Sequence, residues 1–219
     1  MTTGTTGTTS PAFKALARLR DGNTRFTSNV RSLDAMLSHT RRGELAEGQT
    51  PVAIVLGCSD SRVPAEVVFD QGLGDLFVIR VAGNIVAPSQ IGSVEFAAAR
   101  FGTRLVVVLG HSGCGAITAT LEDLRSPTKQ SRNIRSIVDR VRPSVQPLLE
   151  IHRPEEPYAA LVDKAVRANV RASCNQLRHG SELLEQLIAD EGLVVVGAEY
   201  SLETGNVDFF DGVPRDTAI

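Results

Sequence analysis

The chain has 219 residues, 42% of them hydrophobic and 22% charged, which is enough to bury one sizeable core and typical of a soluble globular protein. A formal net charge of −2 and a pI near 6.1 argue against nucleic acid as a partner. No apolar stretch approaches the roughly 18 residues of a membrane helix, and the N-terminus lacks the basic-then-apolar order of a secretory signal.

The first ten residues, MTTGTTGTTS, read as a disordered Thr/Gly-rich tail, and residues 11–219 as a single α/β domain. Ser10 before Pro11 is a helix start: the hydroxyl can cap orphan amides, and proline loses nothing at the first helical position. A helix is expected over PAFKALARLRDGNTRF, and a second across 32–48. Short β-branched runs follow at 52–57, 75–82, 104–110 and 193–201, the kind buried on both faces of a parallel sheet. NVDFF (206–210) reads as an antiparallel edge strand. Helices are expected at 89–102, 115–125, 131–150, 155–179 and 181–191. Strand and helix alternating at these lengths predict a mostly parallel central sheet flanked by helices, with right-handed crossovers; if the strand order is near 2-1-3-4, its reversal lies between strands one and three.

In such sheets functional groups gather beyond the carboxyl ends of the strands, where the strand order reverses. Cys58 ends the first strand and His111 the third, so this topology brings together residues 53 positions apart. LGHSGCGA adds Cys114, two small residues after His111. Taken singly, Cys58 reads as a small packed hydrophobe and H-x-x-C as an even choice between ligand and accident. Together, Cys58, His111 and Cys114 give the Cys₂His count of an open catalytic zinc site, and the start of a helix at Cys114 favours a thiolate. GHSGCG lacks the Lys-Ser/Thr ending of a phosphate loop. Asp60 and Arg62, one residue apart in CSDSRVPAE, can pair, leaving the carboxylate ionised and aimed at a water beside a metal.

Other polar groups read more plainly. Cys174 falls on an apolar stripe with Val166, Val170 and Leu177, which is core packing. His39, His152 and His179 read as surface histidines, and Arg132, Arg135, Arg140 and Arg142 as a solvated helix face. Three scattered cysteines, odd in number, make no disulfide framework and suit a reducing cytoplasm.

CSDSRV followed by HSGCGA, with GDLFVIR, AGN and SVEFAAARFG between them, resembles the β-class carbonic anhydrases over about residues 11–211. The resemblance implies one zinc ion per chain on Cys58, His111 and Cys114, with Asp60 and Arg62 beside its fourth position. It implies a substrate pocket that includes Gln49, Phe77, Ala82 and Phe96. Phe96 stands where one branch of the family often has Tyr, and Val81 replaces a common Asn. Further implications are homodimers, or dimers of dimers, with pockets at the subunit interface and N-terminal helices packing on the partner. The implied reaction is reversible hydration of carbon dioxide to bicarbonate and a proton, by attack of zinc-bound hydroxide. Because two thiolates neutralise the zinc charge, activity is expected to rise through an apparent pKa above 7. Two rivals share the site: hydrolysis of carbon disulfide or carbonyl sulfide, and a non-catalytic zinc or anion-binding protein. The latter would need a fourth protein ligand, and only Asp60 is near.

Overall fold

The structure, a computed structural model, describes residues 10–30 and 39–213. Most of the expected tail and the first part of the second helix lie outside the described residues. The five expected strands form one sheet: β1 (Ala53–Gly57), β2 (Leu76–Arg80), β3 (Leu105–His111), β4 (Val194–Tyr200) and β5 (Val207–Asp211). Their order is β2-β1-β3-β4-β5, parallel except for the antiparallel β4–β5 pair. Every residue of β1 and β3 is buried, which explains the unbroken Val/Ile/Leu character of both runs.

The helices are α1 (Pro11–Thr27), α2 (His39–Glu44) running into a 3₁₀ turn at Leu45–Glu47, α3 (Ala65–Val68), α4 (Pro88–Arg100), α5 (Gly115–Arg125), α6 (Arg132–Glu150), α7 (Tyr158–His179) and α8 (Glu182–Asp190). They cover both faces of the sheet. On one face Leu16 and Leu19 of α1 pack with Val55, Val107 and Val196; on the other, Val94 of α4, Val170 of α7 and Leu184 of α8 pack with Ile54, Val106 and Val195. One face of α1, with Ala12, Leu16 and Leu19, is fully buried on the chain's own sheet.

A third cluster, from α5, α6 and α7, lies under Cys58 and Cys114. The seating of α7 depends on Gly110 in β3. A Cβ there would lie 2.6 Å from Val170 Cγ2 and 3.2 Å from Val166 Cγ1, so only glycine lets the helix come this close. Among the described residues, no helix is long and apolar enough to cross a membrane.

Two surface readings are corrected. Arg142 is not simply solvated: its guanidinium meets the buried carboxylate of Asp123 at 3.1 Å, and that carboxylate also accepts hydrogen bonds from Thr128 N–H and Gln130 Nε2. A buried carboxylate needs such partners, and its loop-tying role was invisible in sequence. The His152 side chain is only 11% exposed, with Nδ1 3.7 Å from Glu156, so it is no plain surface histidine. His179, Arg132, Arg135 and Arg140 are exposed as expected, and Cys174 is fully buried.

Candidate metal centre

Parallel pairing aligns Gly57 of β1 with Arg80 of β2 on one side and Leu109 of β3 on the other. Cys58 therefore leaves the sheet beside the end of β3, next to His111. Beyond His111 the chain turns at Gly113, whose φ of 61° is left-handed, and this turn brings Cys114 back as the N-cap of α5. The ligand atoms of Cys58, His111 and Cys114 all lie within 4.8 Å of one another, and all three residues are buried. The two sulfurs are 4.0 Å apart. Two thiolates on one tetrahedral zinc at ~2.3 Å each would be about 3.8 Å apart, so the cluster needs only a small contraction to hold the ion.

The donor chemistry fits the same ion. His111 Nδ1 lies 3.0 Å from the Ser112 carbonyl, which can only accept, so the proton belongs on Nδ1. This leaves Nε2 with its lone pair bare, buried and without a hydrogen-bond partner among the described residues. A buried polar atom left so is costly unless something else satisfies it, and a metal ion does.

Each sulfur is surrounded by donors. Cys58 Sγ accepts from Gly83 N–H at 3.4 Å and from the Asp60 amide. Cys114 Sγ faces the amides of Ala116 and Ile117 in the first turn of α5, where no acidic residue competes for the positive helix end. The Cys58 thiol is pushed down to about 4, chiefly by the hydrogen bond from Cys114, with burial opposing and His111 assisting. Cys114 moves upward, because Cys58 and burial both resist a second negative charge. A divalent cation would displace whatever protons the two sulfurs carry, since only thiolates ligate it.

Asp60 and Arg62 form the expected pair in bidentate geometry. Arg62 Nε donates to Oδ1 at 2.9 Å, Nη2 to Oδ2 at 2.7 Å, and the Arg62 amide also donates to Oδ1. These bonds, first among the causes, hold the Asp60 carboxyl well below the usual carboxylate range against the opposing effect of burial. Asp60 Oδ2 lies 4.0 Å from His111 Nε2, so the carboxylate borders the cluster while both its oxygens are committed to Arg62.

A family model described as carbonic anhydrase matches residues 53–207. Among curated relatives, carbonic anhydrase 2 of Mycobacterium tuberculosis is 38% identical over 202 residues, covering 92% of this chain and 93% of the relative. The carbonic anhydrase of Mycolicibacterium smegmatis is 40% identical over 197 residues, covering 90% of this chain and 91% of its own. The chain belongs to the β-class carbonic anhydrase family. Among solved structures, the β-carbonic anhydrase CcaA superposes with a TM-score of 0.72 at 25% identity, covering 92% of this chain and 94% of that one. One of two tetrameric β-carbonic anhydrases from Sordaria macrospora gives 0.66 at 27% identity, covering 77% and 85%.

The residues read as pocket-lining are dispersed in this β-carbonic anhydrase chain. Ala82 sits in a 3₁₀ turn (Ala82–Asn84) beside Gly83, within reach of the cluster. Phe77 does not. It pairs with Ile54, four residues before Cys58, so it lies roughly 13 Å away along the strands. Phe77 instead clusters with Phe96 and Phe101, ring centroids 5.7–6.3 Å apart. Gln49 is exposed and lines an open cavity of about 540 Å³ with Leu45, Leu73 and Phe101.

Sequence reading missed several supports of the cluster. Arg80 Nε donates to the Cys58 carbonyl at 3.0 Å and Nη2 to the Asp60 carbonyl at 2.6 Å, pinning the turn that carries both residues. Ser112 is tied down twice: its amide donates to Tyr200 O, and its hydroxyl accepts from Leu202 N–H, which fixes the carbonyl that orients His111. The motif VIRVAGN contained Arg80 and Gly83, but only folding shows which backbone atoms they meet.

Proposed function

We propose that the chain catalyses the reversible hydration of carbon dioxide to bicarbonate and a proton, with one zinc ion per chain held by Cys58, His111 and Cys114. The observation that carries this reading is the bare, buried Nε2 of His111 facing two thiols at near-tetrahedral spacing. When bound, zinc supplies a Lewis acid able to generate a nucleophile at neutral pH.

The protein's own groups do the remaining work. Cys58, His111 and Cys114 would hold the ion, and three protein ligands are the count of an open catalytic zinc site. Asp60, kept ionised and oriented by Arg62, would accept a hydrogen bond from a reactant beside the cluster and so orient it toward carbon dioxide. Both Asp60 oxygens are engaged by Arg62, which would keep the carboxylate from closing the site as a fourth ligand and so favours turnover over a structural site. Ala82 borders the site from the adjacent turn.

Gln49, Phe77 and Phe96 enter the proposal differently. Their distance from Cys58 in the same chain supports a homodimer in which they complete the partner's pocket. A dimer of dimers is in keeping with the tetrameric Sordaria macrospora relatives. The three cysteines are free and buried, which fits a reducing, cytoplasmic setting.

Stopped-flow carbon dioxide hydration on protein of measured zinc content tests the proposal. Rate in proportion to zinc, with carbon disulfide and carbonyl sulfide turned over far more slowly, is the expected result. Zinc-loaded protein that leaves carbon dioxide unhydrated, or prefers either sulfur compound, would refute it.

A further inference from the structure

Gly83 and Asn84 are consecutive left-handed residues, with φ of 71° and 42°. Their own turn is closed by one hydrogen bond, from Asn84 N–H to the Val81 carbonyl at 3.0 Å, which leaves the Gly83 and Asn84 carbonyls to be held from elsewhere. The support comes from α7, nearly ninety residues away. Asn169 Nδ2 donates to the Gly83 carbonyl at 2.7 Å, and Ser173 Oγ donates to the Asn84 carbonyl at 2.9 Å. Asn169 and Ser173 are each only 2% exposed and stand four residues apart, hence on one face of the helix. They interrupt an otherwise apolar stripe of Val166, Val170, Cys174 and Leu177. Buried polar side chains in such a stripe must spend their donors somewhere, and both are spent on this turn.

The product of the arrangement is the Gly83 N–H aimed at Cys58 Sγ at 3.4 Å. We propose that Asn169 and Ser173 are positioning residues that hold the Gly83 amide on the Cys58 sulfur and thereby set how tightly the site grips its metal. An amide donor fixes the direction of the sulfur's lone pairs, so the aim of this ligand depends on the clamp. The reach of the clamp depends in turn on Gly110, since Val166 and Val170, which flank Asn169 in the helix, rest directly on it.

The inference rests on the zinc reading above, and the test separates the two. Zinc affinity is measured by chelator competition for the whole protein and for Asn169→Ala and Ser173→Ala. Each variant is expected to bind zinc about tenfold more weakly. With cobalt in place of zinc, the thiolate-to-metal charge-transfer band is expected at lower energy, because a sulfur stripped of its N–H donor is more electron-rich. Cys174→Ala, a buried change on the same helix with no bond to the turn, is the control for lost packing. If Asn169→Ala fails to fold, Ser173→Ala against Ser173→Thr, which keeps the hydroxyl, gives the same comparison. Variants within about twofold of wild-type affinity, or a band that moves no more than in Cys174→Ala, would overturn the clamp. Wild-type protein that binds no zinc would instead remove the metal reading itself.

Discussion

The two ends of the sheet are built on opposite plans. At the carboxyl ends of β1 and β3, three residues that could hold a metal ion and their supports come from one chain, and all three are buried. Toward the amino end of β2, Phe96 remains 55% exposed and Leu73 48%, beside the open cavity that Gln49 lines. The first region satisfies its polar groups internally, through backbone amides, the Ser112 carbonyl and Arg62, save the His111 Nε2 that faces the two sulfurs. The second leaves apolar area unburied, which costs roughly 25 cal/mol for each Å² that a partner surface could cover. Metal binding is therefore expected to belong to the single chain, and completion of the substrate pocket to the assembly.

Experiments can break this contrast, and the largest effect is expected at the ligands. Cys58→Ser or His111→Ala should weaken zinc binding by roughly a thousandfold or more, since structural zinc is held by well over 10 kcal/mol shared among few ligands. Metal content after dialysis reads this directly, and full retention would dissolve the first region as a metal centre. Next, Arg62→Ala should leave zinc in place while lowering the hydration rate by about 10- to 100-fold. Zinc lost along with the rate would mean that the pair builds the cluster rather than orienting the reactant.

A smaller effect is expected from the second region. Gln49→Ala should retain zinc and lose part of the rate, and mixing it with Cys58→Ser protein should recover more activity than either parent gives. Hybrid dimers then carry one site with all its parts. No recovery after subunit exchange would place Gln49 in its own chain's pocket. The smallest effect concerns stability. The carboxyl of Asp60 is depressed in the folded state, so its pairing stabilises the fold above the ordinary carboxylate range, about pH 4. That contribution is lost as pH falls toward the depressed folded value. Arg62→Ala should thus lower the melting temperature slightly at pH 7, with the gap to wild type shrinking in acid. Solvent screening keeps it small, because Arg62 is 57% exposed. A gap that widens below pH 4 would reverse the assignment.

The contrast also sorts what could be read from the sequence. Val/Ile/Leu-rich runs announced β1, β3 and β4, the alternation of strands and helices pointed to a parallel sheet, and the order assumed for it, with its reversal between β1 and β3, is the one observed. Cys58, His111 and Cys114 follow from that topology because each ends a strand or opens a helix, where position along the chain determines position in space. Arg80, Ser112, Asn169 and Ser173 act by bonding backbone carbonyls, amides or other residues far off in the chain, and a residue's type does not reveal its distant partner. Asn169 and Ser173 did leave a trace, as polar interruptions of the α7 stripe. Gln49, Phe77 and Phe96 were named through resemblance, and only the Ile54–Phe77 register places Phe77 far from Cys58 in its own chain.

Zinc K-edge absorption on the purified, metal-loaded protein tests the central claim most directly. Two sulfurs at ~2.3 Å with nitrogen or oxygen at about 2.0–2.1 Å is the predicted shell. A shell without sulfur, or with a sulfur count unchanged in Cys58→Ser, would contradict it.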